Sequence, residues 1–435
     1  MTAEADLASL PALAYVYHPQ SFAPLSIVEA ADGLCRIVWI IDSSNPEAAA
    51  MQPLLRRLGP VIDTSGLTVA QVSPLVEEHQ PNGVLSMHDA DLLWTAVLAA
   101  ALAKPFHSVD AATKLTDKYE QRVALAAAGL AVPAFGTIPP DADDAAIAAL
   151  AKEFPYPAVL KPRRGQASRD TFPVDSFDEL TATIAELRAR PGQPAEEYIL
   201  EQFVSDPVEP LGGQGFAPFV SVESIVEGGR VAHAAISART PFRWPFRETG
   251  LCTPTAVAPS LQADILRVAG DAALALGVTQ ACLHIEIKLT DDGPVVIEVN
   301  GRPGGGVSEM LERASGFSIL RAALRLALGV TVGLERPVPC TRVGYLLYVF
   351  PESDITWIDA VEGLSDLQAV DGVNEIVLVR GPGKSIDWRE GSQAHVFRLT
   401  GTTRDHEELR RLIAATTTLV RIDGHDDLIP RFERG

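Results

Sequence analysis

Apolar and polar positions fall into short alternating blocks along the first third of the chain. Residues 35–41 (CRIVWII) are a nearly unbroken apolar run, the pattern of a buried strand. Helical spacing follows over 48–58, then a short strand over 61–63. A further strand over 83–86 (GVLS) leads past Asp89 and Asp91 into an Ala- and Leu-rich helix over 92–103. Such alternation predicts a doubly wound parallel sheet. A second unit starts near residue 116. It reads as a helix over 117–128 that stops at Gly129, an extended stretch over 133–138, and a helix over 141–154. Acidic residues in the first turn of that last helix suit its dipole. A strand over 157–161 (PAVLK), a helix over 177–190 and a strand over 198–204 (YILEQFV) complete the unit.

Residues 205–218 are rich in Gly and Pro and read as irregular. Paired strands over 219–226 and 231–238 flank Glu227-Gly228-Gly229. Another irregular stretch, 239–254, interleaves Arg239, Arg243 and Arg247 with Phe242, Trp244 and Phe246. That pattern suits either a pocket for an acidic or aromatic substrate or a packed loop with solvated arginines. A helix over 260–276 has Ser260 in the N-cap position and Gly277 just past its end. A hairpin over 282–299 precedes a helix over 308–328 that Gly316 interrupts. Beyond the prolines at 337–339, short strands (342–349, 375–379, 392–400) and a helix over 405–416 predict a small α+β unit.

Composition narrows the function classes. The 435 residues include 36 Lys and Arg against 56 Asp and Glu, a formal net charge of −20. Such a surface repels nucleic-acid phosphate and anionic lipid. The longest apolar stretch, near 92–103, falls short of the roughly 20 residues that span a bilayer. Residues 1–10 carry Glu4 and Asp6 and no basic residue, unlike a secretory leader. Cys35, Cys252, Cys282 and Cys340 are far apart and form no CxxC pair. The expectation is a reduced, cytoplasmic protein acting on small molecules.

The chemistry concentrates in the hairpin. Its arms run from Cys282 to Thr290 and from Pro294 to Asn300 around Asp291-Asp292-Gly293, and both alternate with period two. Leu283, Ile285, Ile287 and Leu289 share one face with Val295, Ile297 and Val299. His284, Glu286 and Lys288 share the other with Val296, Glu298, Asn300 and Arg302. If the turn is symmetric about Asp292 and unbulged, Glu286 lies opposite Glu298 and His284 opposite Asn300. Opposed carboxylates destabilise a hairpin unless a cation sits between them. Two carboxylates and an amide oxygen are hard donors suited to Mg²⁺. Gly301 and Gly304–Gly306 follow, where a ligand or a neighbouring backbone can approach closely. The alternative is a solvated face bearing two unrelated glutamates.

These residues resemble the ATP-grasp superfamily, in which a hairpin ending in Glu-x-Asn-x-Arg, with an earlier Glu upstream, binds metal–nucleotide. The resemblance implies Glu286, Glu298 and Asn300 as metal ligands and Arg302 as the residue that steadies the reacting anion. Thr116-Asp117-Lys118, followed by the turn from Gly129 to Pro133, looks like the family's Asp-Lys helix, with Lys118 on ATP phosphate. Residues 156–161 resemble the strand bearing a second nucleotide lysine, Lys161. Glu201, Gln202, Phe203 and Val204 resemble the hinge that takes the adenine. Glu209 and Glu223 are candidates for the ribose-binding acid. The loop after Lys161 has a single glycine, Gly165; Ser168 and Arg169 match a Gly-Ser-Arg-Gly variant seen in L-amino-acid (dipeptide) ligases, with Asp170 replacing its last glycine. An acidic residue there is expected to oppose a triphosphate. Phe246-Arg247-Glu248-Thr249-Gly250 resembles a substrate segment of the same ligases, placing Glu248 near substrate; Leu251 stands where they have His. Hairpin spacing also matches the biotin carboxylase branch.

The implied architecture is an α/β chain: an N-terminal domain before the grasp (1–110), an ATP-grasp domain (111–335) with a mobile lid at about 131–203, and an α+β C-terminal domain (336–435). The implied activity is ATP-dependent joining of a carboxylate to an amine through an acyl phosphate, with Mg²⁺ or Mn²⁺ as cofactor. An amino acid is expected as one substrate, and Glu248 and His284 are the candidates for proton transfer. Dimers are common among similar ligases. The alternatives are bicarbonate activation or ATP binding without turnover.

Overall fold

The computed structural model describes residues 9–190, 196–351 and 355–426. Residues 1–8, which carry Glu4 and Asp6, lie outside the described residues. Among the described residues, no helix is long and apolar enough to cross a membrane.

The N-terminal part is a four-stranded parallel sheet, as the alternation predicts. Its order from edge to edge is Val61–Asp63, Arg36–Ile41, Ala12–Val16, Pro81–Ser86. The strand Ala12–Val16 pairs on both sides and is buried throughout. It was not anticipated, because five apolar residues without flanking periodicity carry no helix-or-strand signature. The helix Ile319–Ala327 packs on this sheet at the strand Pro81–Ser86 and shares one apolar core with Leu13, Tyr15 and Trp39, tying the N-terminal part to the rest.

A second, antiparallel four-stranded sheet orders Phe135–Ile138, Tyr198–Gln202, Ala158–Pro162 and Phe172–Val174. Among the helix boundaries that differ from expectation, three bear on how the helices are capped. The 117–128 helix is preceded by another, Val109–Thr116, and Asp117 caps the helix Lys118–Ala127 by accepting from the Tyr119 and Glu120 amides. The 141–154 helix is trimmed to Asp144–Ala151, capped by Asp143. The 260–276 helix starts at Pro259, so Ser260 lies inside the first turn and caps nothing; Gly277 does adopt φ +74° at its end.

The third sheet has eight antiparallel strands: Gly293–Asn300, Gln280–Thr290, Phe219–Glu227, Arg230–Arg239, Gly250–Thr253, Val343–Val349, Phe397–Thr403 and Val373–Leu378. The stretch 239–254 is therefore not wholly irregular, and strands after residue 336 continue the hairpin's own sheet. The helix Pro259–Ala275 covers one face, where Ile265, Ala269 and Ala272 meet Val222, Leu283 and Ile285. With that face sealed by apolar contact, period two sends His284 and Glu286 to the opposite face.

Candidate active site

The hairpin register brings Glu286 opposite Glu298 and His284 opposite Asn300. The route differs from the expected one. The turn is two residues long, pairing Thr290 with Gly293, which shifts the register by one. A bulge between Glu286 and Ile287 on one arm and Val296 and Glu298 on the other shifts it back. As a consequence Val296 joins the core beside Ile287 instead of the polar face.

The adjoining strand supplies a second rank of polar residues, pairing Glu223 with His284 and Ser221 with Glu286. Glu223 is wholly buried and bonds His284 Nδ1 at 2.8 Å, so it is spoken for and not placed as a ribose acid. Burial disfavours a charged His284 ring, but the Glu223 and Glu286 carboxylates outweigh it and hold the imidazole up, at about 9; Arg239, 3.1 Å from Nε2, pulls the other way. A ring so buried and so encumbered is poorly placed to take a proton from substrate. Burial likewise opposes charge on Glu286, yet His284, Arg239 and Arg302 keep that carboxyl well below its usual range. Arg239 also donates from Nε to Glu248 at 2.6 Å and from Nη1 to Ser221 at 2.9 Å. Gly304 is required beneath His284: a Cβ there would lie 2.5 Å from Nδ1.

The two lysines arrive from different elements. Lys118, the first residue of its helix, sets Nζ 2.8 Å from Glu298 and donates to the Gly165 carbonyl at 2.7 Å. Lys161, on the strand Ala158–Pro162, reaches Glu201 at 2.6 Å. Burial pulls the Lys161 ammonium down, and Glu201 partly offsets it. Glu201 also takes Arg122 Nε at 2.7 Å, and Arg122 Nη2 donates to the Ile297 carbonyl at 2.6 Å, at the bulge. Burial alone would raise the Glu201 carboxyl, but Arg122 and Lys161 hold it at about 2. Gln121 pins the same arm through both its amide atoms to the Val299 backbone. Gln202, Phe203 and Val204 follow Glu201 at the hinge; the Phe203 amide donates to Pro157 O at 2.8 Å. Glu209 is exposed in the following loop, and among the described residues no side-chain hydrogen bond or ion pair joins it to this cluster.

Arg302 sits at the junction with the N-terminal sheet. Its Nη2 and Nε donate to Asp89 at 2.5 and 3.0 Å, and Nη2 approaches Asn300 Oδ1 at 3.4 Å. Burial alone would lower the guanidinium, but Asp89, Glu298 and Glu286 keep it charged. Asp89 opens the helix Asp89–Ala101 directly after the sheet's edge strand.

The loop 163–171 overlies these groups. Ala167, Ser168 and Asp170 all have positive φ, near +50°, a conformation that costs a non-glycine residue about 1–2 kcal/mol. Asp170 does not face the lysines. It is 3% exposed and turned back to Arg190 (2.7 Å) and Arg169 (3.0 Å), which removes the expected conflict with a triphosphate.

A family model for the ATP-grasp domain matches residues 154–310. The chain carries an ATP-grasp domain. The metal-ligand candidates and His284 lie inside the matched stretch, as do Lys161 and the hinge; Lys118 precedes it. An L-amino acid ligase from Bacillus licheniformis superposes with a TM-score of 0.75 at 20% identity, over 96% of this chain and 99% of that one. A biotin carboxylase from Campylobacter jejuni gives 0.65 at 14%, over 96% and 93%. Carnosine synthase 1 of Mus musculus is 34% identical over 128 residues, 29% of this chain but only 15% of the mouse protein's length. A stretch of 128 residues thus shares sequence with a synthase, and almost the whole chain shares its fold with a ligase.

Glu286, Glu298 and Asn300 fit a hard divalent cation. They offer oxygen donors side by side in register, with carboxylates that repel unless a cation joins them.

Sequence reasoning missed Arg122, Gln121 and Asp89 as builders of this site, and left Arg239 open between a pocket and a packed loop. Gln121 and Arg122, three and four residues after Lys118, carry the one local signal, since that spacing shares its helix face.

Proposed function

We propose that the chain is an ATP-dependent carboxylate–amine ligase that forms an amide through an acyl phosphate, with an amino acid as one substrate. The observation that carries this reading is the convergence of Glu286, Glu298 and Asn300 with Lys118 and Arg302 on one side of one hairpin. The sequence relation to carnosine synthase and the fold shared with an L-amino acid ligase support it.

In this reading Glu286, Glu298 and Asn300 hold Mg²⁺ or Mn²⁺, which when bound neutralises charge on the transferring phosphoryl group. Lys118 and Lys161 anchor the phosphates, and the hinge from Glu201 to Val204 takes the adenine. Arg302, kept charged and fixed by Asp89, holds the carboxylate and then the oxyanion that forms when the amine attacks. Glu248 is fixed by Arg239 and shapes the amine end of the site. The loop 163–171, with Ser168 at its turn, excludes water that would hydrolyse an acyl phosphate. The enzyme works on small molecules in the cytoplasm.

The test is phosphate release from ATP and Mg²⁺ across amino acids singly and in pairs, with bicarbonate and simple carboxylic acids alongside. Amine-dependent release with an equimolar amide by mass supports the ligase. Release with bicarbonate alone replaces it with the carboxylase reading, and ATP binding without release across the panel removes the catalytic one.

A further inference from the structure

The loop 163–171 has an unusual partner. Two short 3₁₀ turns joined by a kink at Gly391, within Trp388–Ala394 in the last third of the chain, receive it. The Ser392 amide donates to the Ala167 carbonyl at 2.9 Å, and the Asp170 amide donates to the Arg389 carbonyl at 3.0 Å. The Trp388 ring meets the edge of Phe172, where the loop rejoins its sheet, with centroids 5.9 Å apart. Gly391 is what permits the approach. Its φ is +64°, and a Cβ there would stand 2.2 Å from Ala167 O and 2.6 Å from Ser168 C. The left-handed residues Ala167, Ser168 and Asp170 are those held, so the receiving segment supplies the backbone partners for a shape that glycine would adopt unaided.

The same segment touches the substrate end. Ser392 Oγ accepts from the Glu248 amide at 2.9 Å, and Glu248 grips Arg239. Ser392 therefore binds the loop through its backbone and Glu248 through its side chain. On its other flanks the loop meets Lys118 through the Gly165 carbonyl and His88 through Gln166, at 2.7 and 2.8 Å. Two small residues, Gly391 and Ser392, thus stand between the loop over the phosphate lysines and the carboxylate at the amine end.

We infer that the segment Trp388–Ala394 is the receiver of the ATP lid, and that Ser392 is a positioning residue coupling lid closure to the placement of Glu248. The inference rests on the ligase reading for its catalytic consequence. Its structural half stands without turnover. In its terms, the chain replaces intrinsic lid flexibility, which a glycine-rich loop would have, by a docked conformation whose stability depends on the C-terminal strands. The lid and the amine end then order together, and an acyl phosphate forms only where Glu248 is in place to receive the amine.

Tryptic cleavage of the full-length protein tests the docking, since Arg163, Arg164 and Arg169 mark the loop. The probe is a non-hydrolysable ATP analogue with Mg²⁺. Gly391→Ala is expected to speed cleavage in the loop about tenfold and to weaken analogue binding by a similar factor. Trp388→Leu, milder on the backbone, moves both in the same direction and stands in should Gly391→Ala fail to fold. Ser392→Ala keeps the backbone contact, so cleavage and analogue binding stay as in wild type. With the substrates found by the phosphate-release panel, it raises KM for the amine and increases phosphate released per amide formed, and Ser392→Thr restores both. Unchanged loop cleavage in folded Gly391→Ala and Trp388→Leu overturns the docking. A Ser392→Ala enzyme with unaltered amine KM and stoichiometry overturns the coupling. Wild-type protein that binds no ATP analogue overturns the ligase reading instead, and leaves the cleavage comparison standing.

Discussion

Neutralising Glu201 gives a quantitative test of how the hinge is built. Glu201 is 4% exposed and receives Arg122 Nε at 2.7 Å and Lys161 at 2.6 Å. These cations overcome the effect of burial and lower the carboxyl from 4.5 to about 2. Because the folded-state value lies below the unfolded one, the charged form stabilises the fold. That stabilisation is complete above about pH 4.5 and disappears as pH falls through about 2. A displacement of this size is worth about 3 kcal/mol, at roughly 1.4 kcal/mol for each pH unit. Glu201→Gln keeps the shape and removes the charge, so the variant is expected to be about 3 kcal/mol less stable than wild type at neutral pH. The gap should hold steady from pH 7 to pH 5 and close below pH 4.5. Urea unfolding followed by hinge-proximal fluorescence, at a series of pH values, reads it. Neutralisation also leaves burial unopposed at Lys161, so nucleotide affinity should fall with stability. A gap under 1 kcal/mol at neutral pH, or one that does not narrow in acid, would refute the assignment of Glu201 as the acid that holds Arg122 and Lys161.

Other consequences follow from the same geometry. Glu298→Gln should change stability little without metal, since relief of repulsion with Glu286 offsets the loss of Lys118's partner. It should abolish most of the stabilisation, about 2.7 kcal/mol at a hundredfold excess over Kd, that Mg²⁺ and ATP give wild type in a thermal-shift assay. Arg302→Ala should lower kcat by about 10²–10³ with ATP binding retained, and Asp89→Asn, which only loosens that arginine, by about tenfold; steady-state kinetics separate the two. Gly304→Ala should destabilise the protein by about 1–3 kcal/mol in chemical denaturation, because its Cβ would displace the buried His284 ring.

The hairpin was legible because its signal is local: period-two arms, an Asp-Asp-Gly turn and like charges that face one another. Even so, the register rests on two features the pattern did not contain, a shorter turn and a bulge at Ile297, whose offsets cancel. The partners that tune the site were not legible. Arg122 and Glu201 are 79 residues apart, Glu223 and His284 are 61 apart, and Asp89 and Arg302 are 213 apart; only the folded sheets bring them within bonding distance. Asp170 illustrates the same limit in reverse. Beside a phosphate loop its charge looked adverse, whereas the chain reversal at φ +47° turns it toward Arg190. The parallel sheet was recovered from its alternation, but its central strand, Ala12–Val16, was missed for want of any amphipathic period.

The central claim is that a substrate carboxylate is phosphorylated by ATP before an amine displaces the phosphate. Isotope transfer tests it most directly, using a carboxylate substrate labelled with oxygen-18 in both oxygens, its amine partner, ATP and Mg²⁺. Attack of the carboxylate on the γ-phosphorus and later loss of phosphate leave one labelled oxygen in the released phosphate and one in the amide. Phosphate carrying one heavy oxygen for each amide formed is the predicted result. Amide formed alongside unlabelled phosphate, with the displaced heavy oxygen recovered in water or in AMP, would contradict it.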